Sequence, residues 1–168
     1  MNASLYSSSC QRPATSAGFT LIELMVTIAV LAIIVSIAAP NISNQLANQR
    51  VKSTASTIEN ALKEAKAESI IRRQNITVLY NANANPKTVT VLDGSNPLST
   101  YNVHSQSIVN QIIVPTSVTA VTFQPNKVMF GGANVTYTIC DSASTNETPR
   151  QVSLSSIANI NTTNTGSC

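Results

Sequence analysis

The strongest constraint in this sequence is a long segment near its start that carries almost no charge. Between residues 19 and 49 the only charged side chain is Glu23, and residues 24–39 are apolar apart from Thr27 and Ser36. A helix over residues 19–39 would be about 32 Å long, which is just enough to cross the apolar core of a bilayer. The sequence therefore predicts one membrane-spanning helix ahead of the rest of the chain.

Composition agrees with this prediction. Hydrophobic residues make up 43% of the 168 residues and charged residues only 10%, whereas soluble domains contain about 25% charged residues. A chain of this length holds one compact domain and one extra element. The net charge of +3 comes from scattered residues, and no basic tract indicates binding to nucleic acid or to an anionic membrane surface.

The residues before the apolar segment differ from an ordinary secretory signal. Residues 1–18 are polar and contain one charged side chain, Arg12, whereas a secretory signal places basic residues directly before a shorter apolar core. Instead, the start of the apolar segment resembles the class III signal of type IV prepilins and type II secretion pseudopilins, with the order Gly18-Phe19-Thr20-Leu21-Ile22-Glu23-Leu24.

This resemblance implies how the N-terminus is processed and used. It implies cleavage after Gly18 by a membrane aspartic prepilin peptidase, methylation of the new amine on Phe19, and retention of the apolar helix. In that family, the glutamate at the position of Glu23 pairs with the N-terminal amine of a neighbouring subunit, which neutralises both charges among the packed helices. The alternative is an uncleaved anchor in which Glu23 lies at the water interface, where the helix dipole favours an acid.

The pattern changes at Pro40. A proline removes one backbone hydrogen bond and clashes with the preceding turn, which predicts a helix kink, and the resemblance implies a helix that bends when it packs into a filament. Beyond it, apolar residues follow alternating steps of four and three, typical of an amphipathic helix that ends near residue 72: Ala47, Val51, Ala55, Ile58, Leu62 and Ala65. Charged residues, including the i, i+4 pair Glu59 and Lys63, lie mostly on the other face, which is either solvated or a docking surface for other subunits.

After residue 73 the periodicity becomes two and β-branched residues dominate, which predicts strands. We place them at residues 76–80, 88–92, 108–114, 120–123, 127–130, 135–140 and 150–154. Short turns favour antiparallel neighbours, so we expect an α+β fold in which the apolar stripe of the helix packs on an antiparallel β-sheet domain. The expected organisation is a leader (1–18), a transmembrane or filament-core helix (19–40), its amphipathic half (41–73) and a β-rich periplasmic or extracellular domain (74–168).

The amphipathic helix and residues 135–141 resemble the GspH/FimT/FimU family of minor pilins and pseudopilins. FimT-like members that bind DNA carry a Gly-Arg-x-Arg element near the C-terminus, which residues 155–163 lack, and Arg150 is the only basic residue after Lys127. The resemblance therefore implies a FimU-like minor pilin that primes or joins a type IV pilus, in support of twitching motility and DNA uptake. The alternatives are an H-type minor pseudopilin of a type II secretion system and a pilus-borne DNA receptor that contacts DNA through Arg150 and Lys127.

The same resemblance implies the partners and the location. The partners are the prepilin peptidase and N-methyltransferase, other minor pilins and the major pilin or pseudopilins, and the inner-membrane assembly platform. The chain would cross the inner membrane once, with its C-terminal domain in the periplasm, and then enter a filament.

The cysteines fit an exported protein once the leader is removed. Cys10 leaves with the leader, whereas Cys140 and Cys168 remain, and a pair of thiols in an oxidising periplasm usually forms a disulfide. Free thiols or metal ligation are the alternatives, and the only histidine, His104, is far away in sequence. The sequence has no nucleophile elbow, phosphate-binding loop or paired metal motif, so we expect a structural protein without a cofactor.

Overall fold

The computed structural model describes residues 18–168, except for the side chains of residues 38–41. In chain order the elements are α1 (Leu21–Arg72), β1 (Ile76–Asn81), β2 (Thr88–Asp93), β3 (Asn96–Asn102), β4 (Ser107–Val114), β5 (Val121–Phe123), a 3-10 turn (Phe130–Gly132), β6 (Asn134–Asp141), β7 (Arg150–Leu154) and β8 (Ile160–Asn164). The predicted leader, apart from Gly18, lies outside the described residues. So does the side chain of Pro40, and the kink there stays a prediction.

The chain divides into two compact units, residues 1–39 and 40–168. In the first unit, every large apolar side chain from Phe19 to Ile37 is at least half exposed. Among the described residues, no single helical segment is long and apolar enough to cross a membrane, whereas Leu21–Ile37 and Ile42–Arg72 meet this test as a pair.

In the second unit, α1 buries the predicted apolar stripe. All six residues of the stripe are at most 1% exposed, and those from Val51 onward share one core with residues of both sheets, including Phe123 and Tyr137. α1 ends at Arg72, because Arg73 takes a left-handed backbone conformation with φ of 55° that interrupts the helical hydrogen bonds.

Two antiparallel four-stranded sheets pack against this part of α1. Their strand orders are β3-β2-β1-β5 and β4-β6-β7-β8. In β6, Val135, Tyr137 and Ile139 are buried, whereas Thr136 and Thr138 between them are only partly buried, which is the period of two expected for a strand with one face on the core. The α+β fold class is confirmed, and the sheet domain consists of two sheets.

Six predicted strands agree with the structure to within one residue at each end, and one is wrong. Residues 127–130 form no strand, because Lys127 has φ of 65° and the 3-10 turn follows at Phe130, so that only Met129 makes an isolated bridge, to Phe123. β3 and β8 were not predicted from the sequence. Pro97 in β3 and the Asn- and Thr-rich composition of β8 weaken the usual strand signals.

Candidate functional site

The predicted processing site lies just ahead of α1. Gly18 and Phe19 precede the first helical residue and are exposed. Thr20 caps the helix, since its Oγ1 accepts a hydrogen bond from the backbone N–H of Glu23 at 3.2 Å. Glu23 is therefore in the first turn, with its side chain exposed, and the peptide bond between Gly18 and Phe19 is outside the helical hydrogen bonds.

The second unit contains an ion pair between α1 and the end of β6. Arg50 donates from Nε to Asp141 Oδ2 at 2.7 Å and from Nη2 to Oδ1 at 2.9 Å, so the pair is bidentate. Asp141 is 4% exposed, and its Oδ1 also accepts the backbone N–H of Ala143 at 2.9 Å. The hydrogen bond from Arg50 is the main reason why the pKa of Asp141 is lowered, against the opposing effect of burial.

Further contacts tie the loop between β6 and β7 to α1. The backbone N–H of Thr148 donates to Asn48 Oδ1 at 2.7 Å, and Ser144 Oγ donates to Asn44 Oδ1 at 3.4 Å. Within the loop, Glu147 Oε1 accepts the backbone N–H of Asp141 at 3.1 Å. We call these contacts, together with the Arg50–Asp141 pair, the helix–loop clamp. The clamp fixes an eight-residue connection that has no secondary structure of its own.

A disulfide lies beside the helix–loop clamp. Cys140 precedes Asp141 on β6 and is bonded to Cys168, with the two Cα atoms 6.1 Å apart, which confirms the predicted bridge. The tail after β8 is also held by the backbone N–H of Thr165, which donates to the carbonyl oxygen of Pro149 at 2.9 Å. The bridge therefore attaches the C-terminal tail to a central strand of its sheet.

Part of the charged face of α1 packs on the sheet domain, a use that neither sequence-based prediction included. Four of its residues contact the sheet domain: Arg50 binds Asp141, Glu59 accepts from Thr162 Oγ1 at 2.8 Å, Glu64 accepts from the hydroxyl of Tyr101, and Lys66 donates to the carbonyl oxygen of Ala158 at 2.7 Å. The predicted Glu59–Lys63 pair is present at 2.6 Å. No sequence signal distinguishes these four residues from solvated ones, because their partners are 37 to 103 residues away.

The structure does not bring the candidate DNA-contacting residues together. Arg150 lies in a small open groove beside Lys52. Lys127 lies three residues after Gln124, and the carbonyl oxygen of Gln124 is near Ser69. Because Lys52 and Ser69 are 17 helical positions apart, these two regions are separated by about 25 Å along α1. Among residues 18–168, no group of three or more His, Cys, Asp and Glu side chains is placed to hold a metal ion.

Comparison with known proteins gives two family matches and a fold match. Residues 14–39 match the prokaryotic N-terminal methylation motif, and residues 54–158 match the family described as type II transport protein GspH. The chain belongs to the GspH family. No curated protein matches the chain.

Two crystal structures of the type IV minor pilin FimU from Pseudomonas aeruginosa share the fold of this GspH-family chain. In one crystal form the identity is 20% and the TM-score 0.55, over 70% of this chain and 98% of that one. In the other form the identity is 19% and the TM-score 0.57, over 71% of this chain and 96% of that one. At these identities the likeness shows the fold alone.

Family membership and the motif establish the general class of the protein. The GspH family consists of structural pilin-like subunits, and the methylation motif followed by an apolar helix implies prepilin peptidase processing, membrane anchoring and assembly with other pilins. Only two acidic residues follow Asp93 in the sequence, Asp141 and Glu147. Both make hydrogen bonds of the helix–loop clamp.

Proposed function

We propose that this chain is a minor pilin, a structural subunit that primes or joins a type IV pilus and supports twitching motility and DNA uptake through that pilus. The observation that carries the proposal is the combination of an N-terminal methylation motif with a C-terminal unit whose fold matches almost the whole FimU chain. In this proposal the chain crosses the inner membrane once, with its β-rich domain in the periplasm, before it enters the filament.

The proposal assigns a role to the residues at the start of α1. Prepilin peptidase cleaves between Gly18 and Phe19, and the new amine of Phe19 is methylated. The exposed position of both residues ahead of the helix supports this assignment, because a peptidase needs an extended, accessible peptide. The intact mass of the membrane-extracted protein should correspond to residues 19–168 plus one methyl group and minus the two hydrogens of the disulfide. A full-length mass would refute the assignment.

Glu23 is proposed to pair with the N-terminal amine of a neighbouring subunit during assembly. Glu23→Ala would leave that amine unpaired among packed apolar helices, which costs about 3–5 kcal/mol. The variant should therefore be processed normally and yet be lost from filaments sheared off the cells. The assay is an immunoblot of sheared filaments and of membranes at native expression. Glu68→Gln, a change at a glutamate of the second unit, is the matched control and should leave incorporation unchanged. Normal incorporation of Glu23→Ala would contradict the role.

A second candidate function is that of an H-type minor pseudopilin of a type II secretion system. The observation that favours it is the family match itself, whose description is a type II transport protein. Deletion of the chain separates the two candidates. The minor-pilin proposal predicts loss of surface pili and the presence of the chain beside a major pilin in sheared material. The pseudopilin proposal predicts blocked release of exoproteins with surface pili unchanged.

A further inference from the structure

A groove between α1 and one end of the β7–β8 pair contains two cations and no acid. Arg150 is the first residue of β7 and is partly buried, and Lys52 lies on the exposed side of α1. In the part of the chain that the structure describes, neither side chain forms an ion pair. The other lining side chains are amides or hydroxyls: Gln45, Asn48, Gln49, Thr148 and Asn164. Positive charge together with hydrogen-bonding side chains suits an anion.

Contacts within the chain hold the walls of this groove in place. The backbone N–H of Thr148 donates to Asn48 Oδ1 at 2.7 Å, which is part of the helix–loop clamp. Arg150 and Asn164 are partners in the β7–β8 ladder. Because the backbone around the groove is fixed without any ligand, a ligand would have to order little more than the two cationic side chains.

An apolar cleft on α1 adjoins the groove. It is lined by Ile42 and Leu46 and by two glutamines, Gln45 and Gln49, that line the groove as well. Ile42 is 61% exposed and Leu46 is 54% exposed. Hydrocarbon gains by leaving water for such a surface, while an anionic head gains from the cations beside it. The cleft and the groove together therefore fit an amphiphile better than a nucleic acid or an acidic side chain, neither of which brings hydrocarbon to Ile42 and Leu46.

The order of the two surfaces along the chain matches the order of layers at the edge of a membrane. Ile42 follows residue 39, the end of the predicted membrane-spanning segment, by three residues, which cover at most about 11 Å of chain. Lys52 lies six positions beyond Leu46, or about 9 Å along α1. This spacing is close to the thickness of a headgroup layer, about 5–8 Å. The apolar cleft is thus nearer in the chain to the hydrocarbon core, and the cationic groove is at headgroup distance from the cleft.

From these observations we infer that the groove and the cleft together bind one anionic phospholipid of the periplasmic leaflet. Its phosphate lies between Arg150 and Lys52, and its acyl chains lie along Ile42 and Leu46. Arginine holds a phosphate through two parallel hydrogen bonds, and lysine adds a point charge. The inference rests on the membrane-anchored state with a periplasmic domain that the proposed function places before assembly. The bound lipid would keep the second unit at the membrane surface until the subunit enters the filament.

Lipid retention by the full chain tests this inference. The chain is placed in nanodiscs of equal parts phosphatidylglycerol and phosphatidylcholine with the same acyl chains, and the lipids still bound after transfer to mild detergent are counted by native mass spectrometry. Phosphatidylcholine is the matched neutral lipid, because its ammonium group balances its phosphate. At about fivefold for each groove cation, the first bound lipid should be phosphatidylglycerol with a preference of roughly 25-fold. Lys52→Gln should lower this preference about fivefold, and Lys52→Gln/Arg150→Gln should abolish it.

Two matched controls separate the site from general effects of charge and hydrophobicity. Arg73→Gln/Lys127→Gln removes the same charge at exposed positions outside the groove and should keep the preference. Leu46→Gln should reduce retention of both lipids without changing their ratio, because it removes hydrocarbon contact only. Leu79→Gln, on β1 and with a similar exposure of 52%, should change neither quantity.

The other outcomes overturn the inference in distinct ways. Equal retention of the two lipids by the unmodified chain would exclude the site, and loss of the preference in Arg73→Gln/Lys127→Gln would assign it to total charge. If excess inorganic phosphate abolishes the preference and Leu46→Gln has no effect, the ligand is a free anion and the lipid assignment is wrong. A chain that retains the lipid but is absent from sheared filaments would support the lipid site and count against the proposed function. A chain that lacks the preference but is recovered in filaments would do the reverse.

Discussion

Removal of the Cys140–Cys168 disulfide should lower the free energy of unfolding of residues 40–168 by about 3.6 kcal/mol at 25 °C. The bridge joins residues 28 positions apart, and on the chain-entropy relation a closed loop of this length removes about 12 cal/mol/K from the unfolded chain. The free energy of the folded state should change less than that of the unfolded chain, because the helix–loop clamp holds the β6–β7 loop through Arg50 and Asn48 without the disulfide. The effect therefore comes mainly from the unfolded chain.

Urea unfolding followed by circular dichroism measures this change. The oxidised second unit, residues 40–168, is compared with the variant Cys140→Ala/Cys168→Ala. With a slope of about 1.5–2 kcal/mol/M, the midpoint should fall by roughly 2 M at unchanged native spectrum. The single variant Cys168→Ala is the matched control and should behave like the double variant, since either change opens the loop. A decrease in the free energy of unfolding of less than about 1 kcal/mol would refute the reasoning, because it would show that the bridge does not lower the entropy of the unfolded chain by the expected amount.

Two further predictions concern single residues of the second unit. Because Arg50 lowers the pKa of Asp141 below its unfolded value, this carboxylate contributes stability above the unfolded pKa of about 3.9, and the contribution is lost as the pH falls through the folded pKa. Asp141→Asn should therefore lower stability at about pH 7 and flatten the acid side of the stability profile, which thermal melts between about pH 2 and about pH 7 measure across the usual carboxylate pKa. An unchanged acid slope would contradict the assignment. Gly131→Ala should lower the free energy of unfolding by about 1–2 kcal/mol for the positive φ of 66° alone, and by more because the new Cβ would lie 2.6 Å from Cγ2 of Val118. Gly132→Ala, with φ of 65° and open space around its Cβ, is the control, and equal losses for the two variants would show that the contact with Val118 is relieved at no cost.

The parts of the fold that the sequence predicted are those that depend on local periodicity. The steps of four and three that bury Ala47, Ile58 and Leu62 are visible without knowledge of the partner, and so is the alternation in β6. β8 was missed because its Asn and Thr residues have the composition of a loop and become a strand only by pairing with β7. Residues 127–130 were wrongly predicted as a strand because the apolar run of Val128, Met129 and Phe130 does not reveal the left-handed conformation of Lys127.

In the candidate site, too, features with a local sequence signal or a known chemistry were predicted, and a contact between distant residues was not. The order of Gly18, Phe19 and Glu23 is a local signal and matches the methylation motif at residues 14–39. The bridge between Cys140 and Cys168 was predicted from cysteine chemistry and compartment, which need no geometry. The Arg50–Asp141 pair joins residues 91 positions apart, and no pattern in the sequence selects Arg50 from the other basic residues of α1.

The internal contacts of α1 change which surfaces of the second unit are available to other subunits. Since Arg50, Glu59, Glu64 and Lys66 bind within the domain, the exposed residues of α1 between positions 52 and 70 include only two charged ones, Lys52 and Lys63, and no acid. Lys63 is in turn paired with Glu59. Exposed residues with so little charge give weak electrostatic selection of a partner. Specific association of this unit should therefore depend on surfaces other than the charged face of α1.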